Sequence, residues 1–182
     1  IAHGFAEHLE RHAHDAAALV TAGFDVLRYD MRGHGRSGGK RGYVDHFQDY
    51  ITDLRAILDL AHAHGRGPVV LLGHSQGGLI VTKALLAGPL AVRGVVLTNP
   101  ALETKAAVPQ WKKVAAKVFS RAVPGLSLPT GLPASAISRD PASVSAYEAD
   151  PLIFDAATAR WGWEFMEAQR ETQASTLRID VP

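Results

Sequence analysis

Cysteine is absent from this sequence of 182 residues. The absence excludes disulfide bonds, thiolate metal ligands and a cysteine nucleophile, and it leaves the redox compartment undetermined. The fold must therefore be held together by packing. Hydrophobic residues make up 47% and charged residues 20% of the chain, a composition typical of one globular domain or a large part of one.

An excess of charge of either sign is missing as well. The 19 basic and 18 acidic side chains give a formal net charge of +1 and are spread along the chain, so we expect no nucleic-acid partner. No apolar run approaches the roughly 18 residues of a membrane span, and no charged segment followed by an apolar one opens the sequence. We therefore expect a cytoplasmic protein.

Helix and strand patterns alternate along the first 100 residues. Apolar residues at three- and four-residue spacing predict helices, and short runs rich in β-formers predict strands. The predicted helices cover residues 9–22, 46–64 and 76–87, and the predicted strands cover residues 24–30, 69–73 and 94–100. This order indicates an α/β fold with a mostly parallel sheet flanked by helices and connected by right-handed crossovers.

The pattern changes after Pro100. Residues 101–176 contain no buried-strand run, and Pro, Gly and Ser are concentrated between two helical patterns at residues 108–122 and 158–174. We interpret residues 101–176 as a helical insertion over the sheet, not as a second domain. Residues 1–100 then form a partial core, and residues 177–182 begin a further core segment.

The predicted helix at residues 108–122 is amphipathic and basic. Its charges come from Lys112, Lys113, Lys117 and Arg121. Such a helix either contacts an anionic membrane surface transiently or packs its apolar face inward and leaves its charges in water. Both interpretations stay open.

Ser75 lies between a predicted buried strand and a predicted helix, in the sequence Gly73-His74-Ser75-Gln76-Gly77. This G-x-S-x-G pattern in a strand-to-helix context is typical of a nucleophile elbow, in which the serine is strained and the glycines allow close backbone approach. The N–H of Gln76 would then point at a developing oxyanion at the start of the helix. The alternative is a glycine-bordered turn in which the serine only caps the helix.

A second oxyanion donor is predicted near the start of the chain. His3-Gly4-Phe5 lies in a loop that leads to a helix, so the N–H of Phe5 suits this role, with Gly4 allowing close approach. His3 is not expected to act as a base.

Four segments together resemble one enzyme family. They are HGFAEHLERH (residues 3–12), FDVLRYDMRGHGRSGGKRGYVDHFQDYITDL (24–54), LLGHSQGGLIV (71–81) and YEADPL (147–152). In this order they resemble the monoacylglycerol lipase and lysophospholipase branch of the α/β-hydrolase superfamily, also described as serine aminopeptidase-like. The resemblance covers nearly the whole chain.

The resemblance implies an α/β-hydrolase-type sheet with a helical lid, and roles for several residues. Ser75 is implied as the nucleophile, with the N–H groups of Phe5 and Gln76 as the oxyanion hole. Residues 101–176 are implied as a lid bordering an acyl-chain pocket. The lid residues that suit a long acyl chain are Trp111, Phe119, Leu126, Leu128 and Leu132.

The resemblance also assigns residues 30–37 to a structural loop, which makes His34 structural. No metal and no other cofactor is expected, because the nine histidines show no metal-ligand spacing.

The sequence departs from the family in one respect. The family order is serine, acid, histidine, but all nine histidines here precede Ser75. We therefore expect that the catalytic acid and histidine are not in this chain. The family strand that leads into His3 is represented only by Ile1 and Ala2. The expected protein is an internal fragment whose sheet is incomplete at both ends.

For the parent protein we predict hydrolysis of a lipid carboxylic ester, such as monoacylglycerol or lysophospholipid, through an acyl-enzyme on Ser75. A thioesterase, a small-amide peptidase or an acyltransferase would use the same fold. A non-catalytic binding module is the alternative from another class. The isolated fragment is expected to be inactive.

Overall fold

The computed structural model describes residues 1–104, 110–131 and 133–181. Its α-helices are α1 (Ala13–Thr21), α2 (Phe47–His64), α3 (Gln76–Leu86), α4 (Gln110–Ala122), α5 (Pro141–Ala149) and α6 (Ala159–Ala174). Its strands are β1 (Val70–His74), β2 (Gly94–Thr98), β3 (Ser127–Pro129) and β4 (Ala156–Thr158), and 3₁₀ helices cover Leu9–His12 and Ala134–Ala136. The first residues of the helix predicted at 108–122, the side chains of Lys112 and Lys113, and residues Leu132 and Pro182 lie outside what is described.

Two parallel strands form the centre of the fold. β1 pairs with β2 along the full length of both, with His74 opposite Thr98. On the other side of β1, Ala2 forms a parallel bridge with Gly73. α3 connects β1 to β2, because parallel neighbours need a crossover between them. The predicted α/β architecture with a parallel sheet is confirmed.

Residues 24–30, which we predicted as a strand, are not a strand in the structure. A strand needs a ladder of backbone hydrogen bonds to its neighbour. Here the amino group of Ile1 donates to Leu27 O at 2.8 Å, while Ala2 pairs with β1 on the opposite side. Residues 1–2 thus lie between residues 24–30 and β1, in the order that the resemblance implies, but two residues are too few to form a ladder.

The helices α2 and α3 supply most of the apolar core. Buried side chains recur at helical spacing on α2 and continuously on α3. They are Phe47, Tyr50, Ile51, Leu54 and Leu58 on α2 and Leu79, Ile80, Val81 and Ala84 on α3. α2 begins where His46 N–H donates to Asp49 Oδ2 at 3.2 Å, an N-terminal capping contact.

The helix α6 ties the later part of the chain to this core. Glu164 on α6 accepts a hydrogen bond from Phe47 N–H at 2.8 Å. Gln169 donates from Nε2 to Ala101 O at 2.8 Å. These contacts fix α6 against the start of α2 and the end of the sheet.

The remaining elements after residue 101 are small or exposed. β3 and β4 form an antiparallel pair that we did not predict, because each strand has three residues and β3 is exposed. α4 packs on α6 and leaves large apolar side chains in solvent. These exposed side chains include Trp111, Val114 and Val118. None of the helices within the described residues is both long enough and apolar enough to cross a bilayer.

Candidate active site

Ser75 lies at the sharp turn between β1 and α3. Its backbone has φ 50° and ψ −115°, a sparsely populated combination that costs a non-glycine residue on the order of 1–3 kcal/mol. Ser75 N–H donates to Thr98 O at 3.0 Å, and Ser75 O accepts from Leu79 N–H at 3.2 Å and from Ala101 N–H at 2.9 Å. Contacts to β2, α3 and the segment after β2 therefore hold the strained turn, with the serine side chain half-buried.

Close backbone contacts require the two predicted elbow glycines. A Cβ at Gly73 would lie 2.9 Å from Gly77 O. A Cβ at Gly77 would overlap Ala2 O and lie 2.6 Å from His3 O. A side chain at Gly73 would thus push β1 away from the start of α3, and one at Gly77 would push α3 away from the segment that leads into the loop of residues 3–5.

A third glycine, Gly78, is equally constrained. A Cβ there would lie 2.7 Å from the Cβ of Pro100, so the absence of a side chain lets the segment after β2 pass against α3. Gly78 is outside the five-residue motif, and the close approach of Pro100 has no signal in the local sequence.

The loop that carries Gly4 passes directly over the elbow. A Cβ at Gly4 would lie 3.1 Å from Ser75 Cβ and 3.3 Å from His74 Cδ2. The N–H groups of Phe5 and Gln76 donate no hydrogen bond to any residue that the structure describes. The structure therefore brings Ser75 together with both residues predicted to supply oxyanion donors, and both donors are unpaired within this part of the chain.

His3 fixes the start of the loop. Its Nδ1 lies 2.7 Å from Gly4 O, and its Nε2 accepts from Met31 N–H at 3.0 Å. This pair of contacts needs the neutral tautomer with the proton on Nδ1. Burial lowers the pKa of His3 below its ordinary value, so the ring stays neutral and holds the loop.

The loop of residues 30–37 is a scaffold beneath the site. His34 Nδ1 lies 3.0 Å from Arg32 O, and burial lowers the pKa of His34 to about 4. Asp30 accepts from Leu9 N–H and from Arg36 N–H, both at 2.8 Å. These contacts support a structural role for His34.

No base for Ser75 is found among the described residues. All nine histidines precede Ser75, and none of their side chains hydrogen-bonds to it. The adjacent His74 instead has Nδ1 at 3.0 Å from Thr98 Oγ1. Within the described part of the chain, the strained serine and the two unpaired N–H groups thus lie together without a histidine bonded to the serine.

Three of the acidic residues that follow Ser75 are candidates for the catalytic acid. Asp140 caps α5 with its side chain. Asp150 Oδ2 lies 2.7 Å from His8 Nε2, and Glu103 is exposed. None of these carboxylates orients a histidine toward Ser75 in the described residues.

A buried acid–histidine pair beside the elbow has no sequence signal. Glu7 Oε1 lies 3.1 Å from His12 Nε2 and accepts from Gly4 N–H, and the ring of His12 is 5.5 Å from that of His74. Burial acts to raise the pKa of Glu7, but the hydrogen bonds from His12 and Gly4 outweigh it and lower the pKa to about 2. The hydrogen bond to Glu7 raises the pKa of His12. Because Leu9–His12 is a 3₁₀ turn, the five-residue spacing matches no regular period.

The loop over the elbow also contacts the region predicted as a lid. Phe154 N–H donates to Ala6 O at 3.3 Å. The ring centroid of Phe5 lies 3.8 Å from that of Trp161 on α6. Residues 101–176 are therefore in direct contact with the loop that carries Phe5.

Comparison with known proteins gives matches along the whole chain. The sequence model of the family described as serine aminopeptidase, S33, matches residues 1–182. The monoacylglycerol lipase of Mycolicibacterium smegmatis is 39% identical over 154 residues, which are 84% of this chain and 55% of that protein. The monoglyceride lipase of Homo sapiens is 32% identical over 185 residues, covering 100% of this chain and 61% of that protein.

A solved structure extends the comparison to the fold. The crystal structure of a monoacylglycerol lipase from Paleococcus ferrophilus superposes with a TM-score of 0.88 at 33% identity, covering 100% of this chain and 68% of that chain. The present chain spans 55% and 61% of the lengths of the two curated relatives above.

Proposed function

Because the chain belongs to the serine aminopeptidase S33 family of α/β hydrolases, we propose that the natural protein containing it cleaves carboxylic esters of lipids through an acyl-enzyme on Ser75. The observation that carries the proposal is the strained backbone of Ser75, with φ 50° and ψ −115°, between β1 and α3. Monoacylglycerol and lysophospholipid are the proposed substrates. The names of the monoacylglycerol and monoglyceride lipases among the relatives support the first of them.

The proposed reaction has two halves. Ser75 Oγ attacks the ester carbonyl carbon while a histidine removes its proton, and the N–H groups of Phe5 and Gln76 stabilise the charge that develops on the carbonyl oxygen. The C–O bond to the alcohol then breaks, and the alcohol leaves with the proton held by the histidine. In the second half, water attacks the acyl-enzyme with help from the same histidine, and the fatty acid is released.

The histidine and its acid belong, in this proposal, to sequence of the natural protein outside residues 1–182. Two observations support this: no histidine follows Ser75 in the chain, and within the described residues no histidine side chain hydrogen-bonds to Ser75. The family order of serine, acid and histidine places both partners after the nucleophile.

Residues 101–176 are proposed as the lid over an acyl-chain pocket, with residues 1–100 as a partial core and residues 177–182 as the start of the next core segment. Four of the five residues predicted to suit an acyl chain are described, and each is 40–68% exposed. They are Trp111, Phe119, Leu126 and Leu128, and Leu132 lies outside the described residues. Exposed apolar side chains on the lid offer surface to an acyl chain, which fully packed side chains would not.

We also propose that α4 contacts a membrane surface transiently. Its apolar side chains Trp111, Val114 and Val118 are 55–68% exposed, which favours contact with an apolar phase over inward packing. Flotation of the natural protein with anionic liposomes tests this, against a variant with Lys112, Lys113 and Lys117 changed to glutamate. Equal flotation of the two proteins would end the proposal. Fractionation of cells that produce the natural protein tests the predicted cytoplasmic location separately.

A fluorophosphonate probe tests the nucleophile directly. It should label the natural protein, and Ser75→Ala should abolish labelling because the phosphonyl bond forms at Ser75 Oγ. Ser145→Ala, which changes an exposed serine on α5, is the matched control and should be labelled like the unchanged protein. Failure to label the unchanged protein would favour a binding module without turnover.

A substrate panel then separates the enzymatic alternatives. Initial rates are compared for a monoacylglycerol, a lysophospholipid, an acyl thioester and an aminoacyl amide. We expect monoacylglycerol or lysophospholipid to be hydrolysed fastest. A higher kcat/KM for the thioester or the amide would reassign the enzyme to those classes, and transfer of the acyl group to an added alcohol would identify an acyltransferase.

A further inference from the structure

The side chains of the two proposed oxyanion residues converge on one residue. The ring of Phe5 lies against the ring of Trp161 with centroids 3.8 Å apart and planes tilted by 30°. Gln76 is fully buried and lies next to Tyr50, which Trp161 also approaches. Trp161 therefore touches one donor residue directly, and it lies with the other beside the hydroxyl of Tyr50.

Three buried polar groups from three helices lie near one another. Tyr50 Oη on α2, the side-chain amide of Gln76 on α3 and Trp161 Nε1 on α6 are buried, and none has a hydrogen bond in ordinary geometry to another described residue. Burial raises the pKa of Tyr50 above its ordinary value, and the neighbouring amide and indole oppose this rise. A hydroxyl, an amide and an indole N–H supply both hydrogen-bond donors and acceptors. How these three groups lie relative to one another therefore determines whether each finds a hydrogen-bond partner.

Trp161 is itself held firmly. Its N–H donates to Thr158 Oγ1 at 3.2 Å, and Thr158 Oγ1 donates to Gly42 O at 2.7 Å. On its other side the ring stacks on Phe165 with centroids 4.8 Å apart. The first turn of α6 thus presents the indole as a fixed surface behind the elbow.

We propose that Trp161 is a positioning residue that keeps the N–H groups of Phe5 and Gln76 aimed at one point. It acts on Phe5 through the face of its ring and on Gln76 through their shared position beside the buried Tyr50 hydroxyl. An oxyanion hole works only when its donors are about 2.7–3.1 Å from the oxyanion, and loss of one donor lowers kcat by about 10²–10³. The inference rests on the proposed acyl transfer at Ser75.

The test uses the natural protein at its full length and three variants. Trp161→Leu removes both the stacking and the indole N–H, whereas Trp161→Phe keeps an aromatic ring against Phe5. Trp163→Phe is the matched control, because Trp163 lies on the same helix and contacts Lys117 of α4. Each protein is assayed with p-nitrophenyl butyrate and with a trifluoromethyl ketone, which forms a hemiketal oxyanion on Ser75 Oγ.

We expect Trp161→Leu to lower kcat by about 100-fold while KM changes less than about threefold. The affinity of this variant for the trifluoromethyl ketone should fall by a similar factor. Trp161→Phe should recover much of the loss, with kcat roughly three- to tenfold below that of the unchanged protein. Trp163→Phe should leave both readouts within about twofold. A folded Trp161→Leu protein with unchanged kcat and inhibitor affinity would overturn the inference. If Trp161→Leu does not fold, equal kcat for the two Phe variants would overturn it instead.

Amide chemical shifts of Phe5 and Gln76 separate this inference from the proposed function. If both shifts move in Trp161→Phe but not in Trp163→Phe, while the unchanged protein hydrolyses no ester, the positioning stands and the proposed function fails. If neither shift moves in Trp161→Phe, the positioning is wrong whatever the enzymatic activity.

Discussion

Three non-glycine residues with positive φ lie around the elbow: Ala6 at 63°, Ser75 at 50° and Asn99 at 44°. Ala6 follows Phe5, and Asn99 follows Thr98, whose carbonyl accepts from Ser75 N–H. Strained backbone persists only where its surroundings leave no alternative. Its concentration on the three segments that meet at the elbow indicates that packing there defines backbone positions closely.

Gly77 offers the most direct test of this close packing. In Gly77→Ala the new methyl group would overlap Ala2 O and lie 2.6 Å from His3 O, and neither backbone atom can move without displacing the loop over Ser75. We expect a loss of at least about 2 kcal/mol in the free energy of unfolding, measured by urea denaturation. Gly38→Ala is the control, because nothing lies within 4 Å of a Cβ there; an equal loss in both variants would contradict the packing argument.

The Glu7–His12 pair predicts a pH dependence of stability. The pKa of Glu7 is lowered from 4.5 to about 2 in the folded protein, so its carboxylate stabilises the fold above about pH 4.5 and loses that effect as the pH falls toward 2. The side chain is 13% exposed, and the shift corresponds to about 3 kcal/mol at most. The raised pKa of His12 adds stability below pH 6.5 that is lost as the pH rises through its folded pKa. The difference in stability between the unchanged protein and Glu7→Gln should therefore be largest near pH 5–6.

Urea denaturation between pH 3 and pH 8 measures this difference. Glu148→Gln, a change at an exposed position of α5, controls for the loss of one negative charge. A difference for Glu7→Gln that stays constant from pH 6 to pH 3 would show that Glu7 acts through packing and not through its charge.

At the scale of single residues, the strand-to-helix turn could be predicted because its requirements have a fixed spacing. Ser75 and the glycines of its motif are neighbours in the sequence, and the structure places them in such a turn. Glu7 and His12 come together only because a 3₁₀ turn follows the loop, and Gly78 is constrained by Pro100, 22 positions away in the sequence. Such contacts depend on tertiary packing, and a local sequence pattern does not show which distant residues will pack together.

Among secondary-structure elements, the helices were the most predictable. α2, α3 and α6 begin and end within about two residues of their predicted bounds, because each has a long apolar stripe. The prediction of a strand at residues 24–30 was wrong for this chain. A strand forms only with a hydrogen-bonded neighbour, and the local sequence of a segment does not show whether that neighbour is there. The pair β3–β4 was missed because three residues per strand are too few for a periodic signal, and β3 is exposed on all three.

The start of α6 is an element-scale feature that a hydroxyl group holds in place. Thr158 Oγ1 accepts from Trp161 N–H and donates to Gly42 O, and Thr158 is 1% exposed. Thr158→Val keeps the shape but leaves Trp161 N–H without its acceptor, whereas Gly42 O keeps the bond from the N–H of residue 158 at 3.0 Å. We therefore expect a loss of about 1–3 kcal/mol in unfolding free energy. Thr172→Val is the control on the same helix, because its hydroxyl only bonds back to Ala168 O. If both variants lose the same stability, the cap does not anchor α6.

For the molecule as a whole, the two parallel strands and the bridge at Ala2 explain how the turn at Ser75 is held. β1, β2 and the bridge at Ala2 surround Gly73 on both sides, and α2, α3 and α6 cover them. Ser75 and the loop of residues 3–5 are held by these central elements.

The last prediction concerns residues 1–182 as an isolated protein. A serine hydroxyl is a weak nucleophile without a base, and in a serine hydrolase loss of a triad member costs about 10⁴–10⁶ in kcat. We expect the isolated chain to hydrolyse p-nitrophenyl butyrate no faster than its Ser75→Ala variant, with near-ultraviolet circular dichroism of the buried Trp161 confirming that it is folded. If the isolated chain hydrolyses the ester in a Ser75-dependent way, at a rate within about 100-fold of that of the natural protein, the proposal that the base lies outside residues 1–182 is wrong. In that event His12 is the histidine to test, by His12→Gln, because its ring lies 5.5 Å from that of His74 beside the elbow.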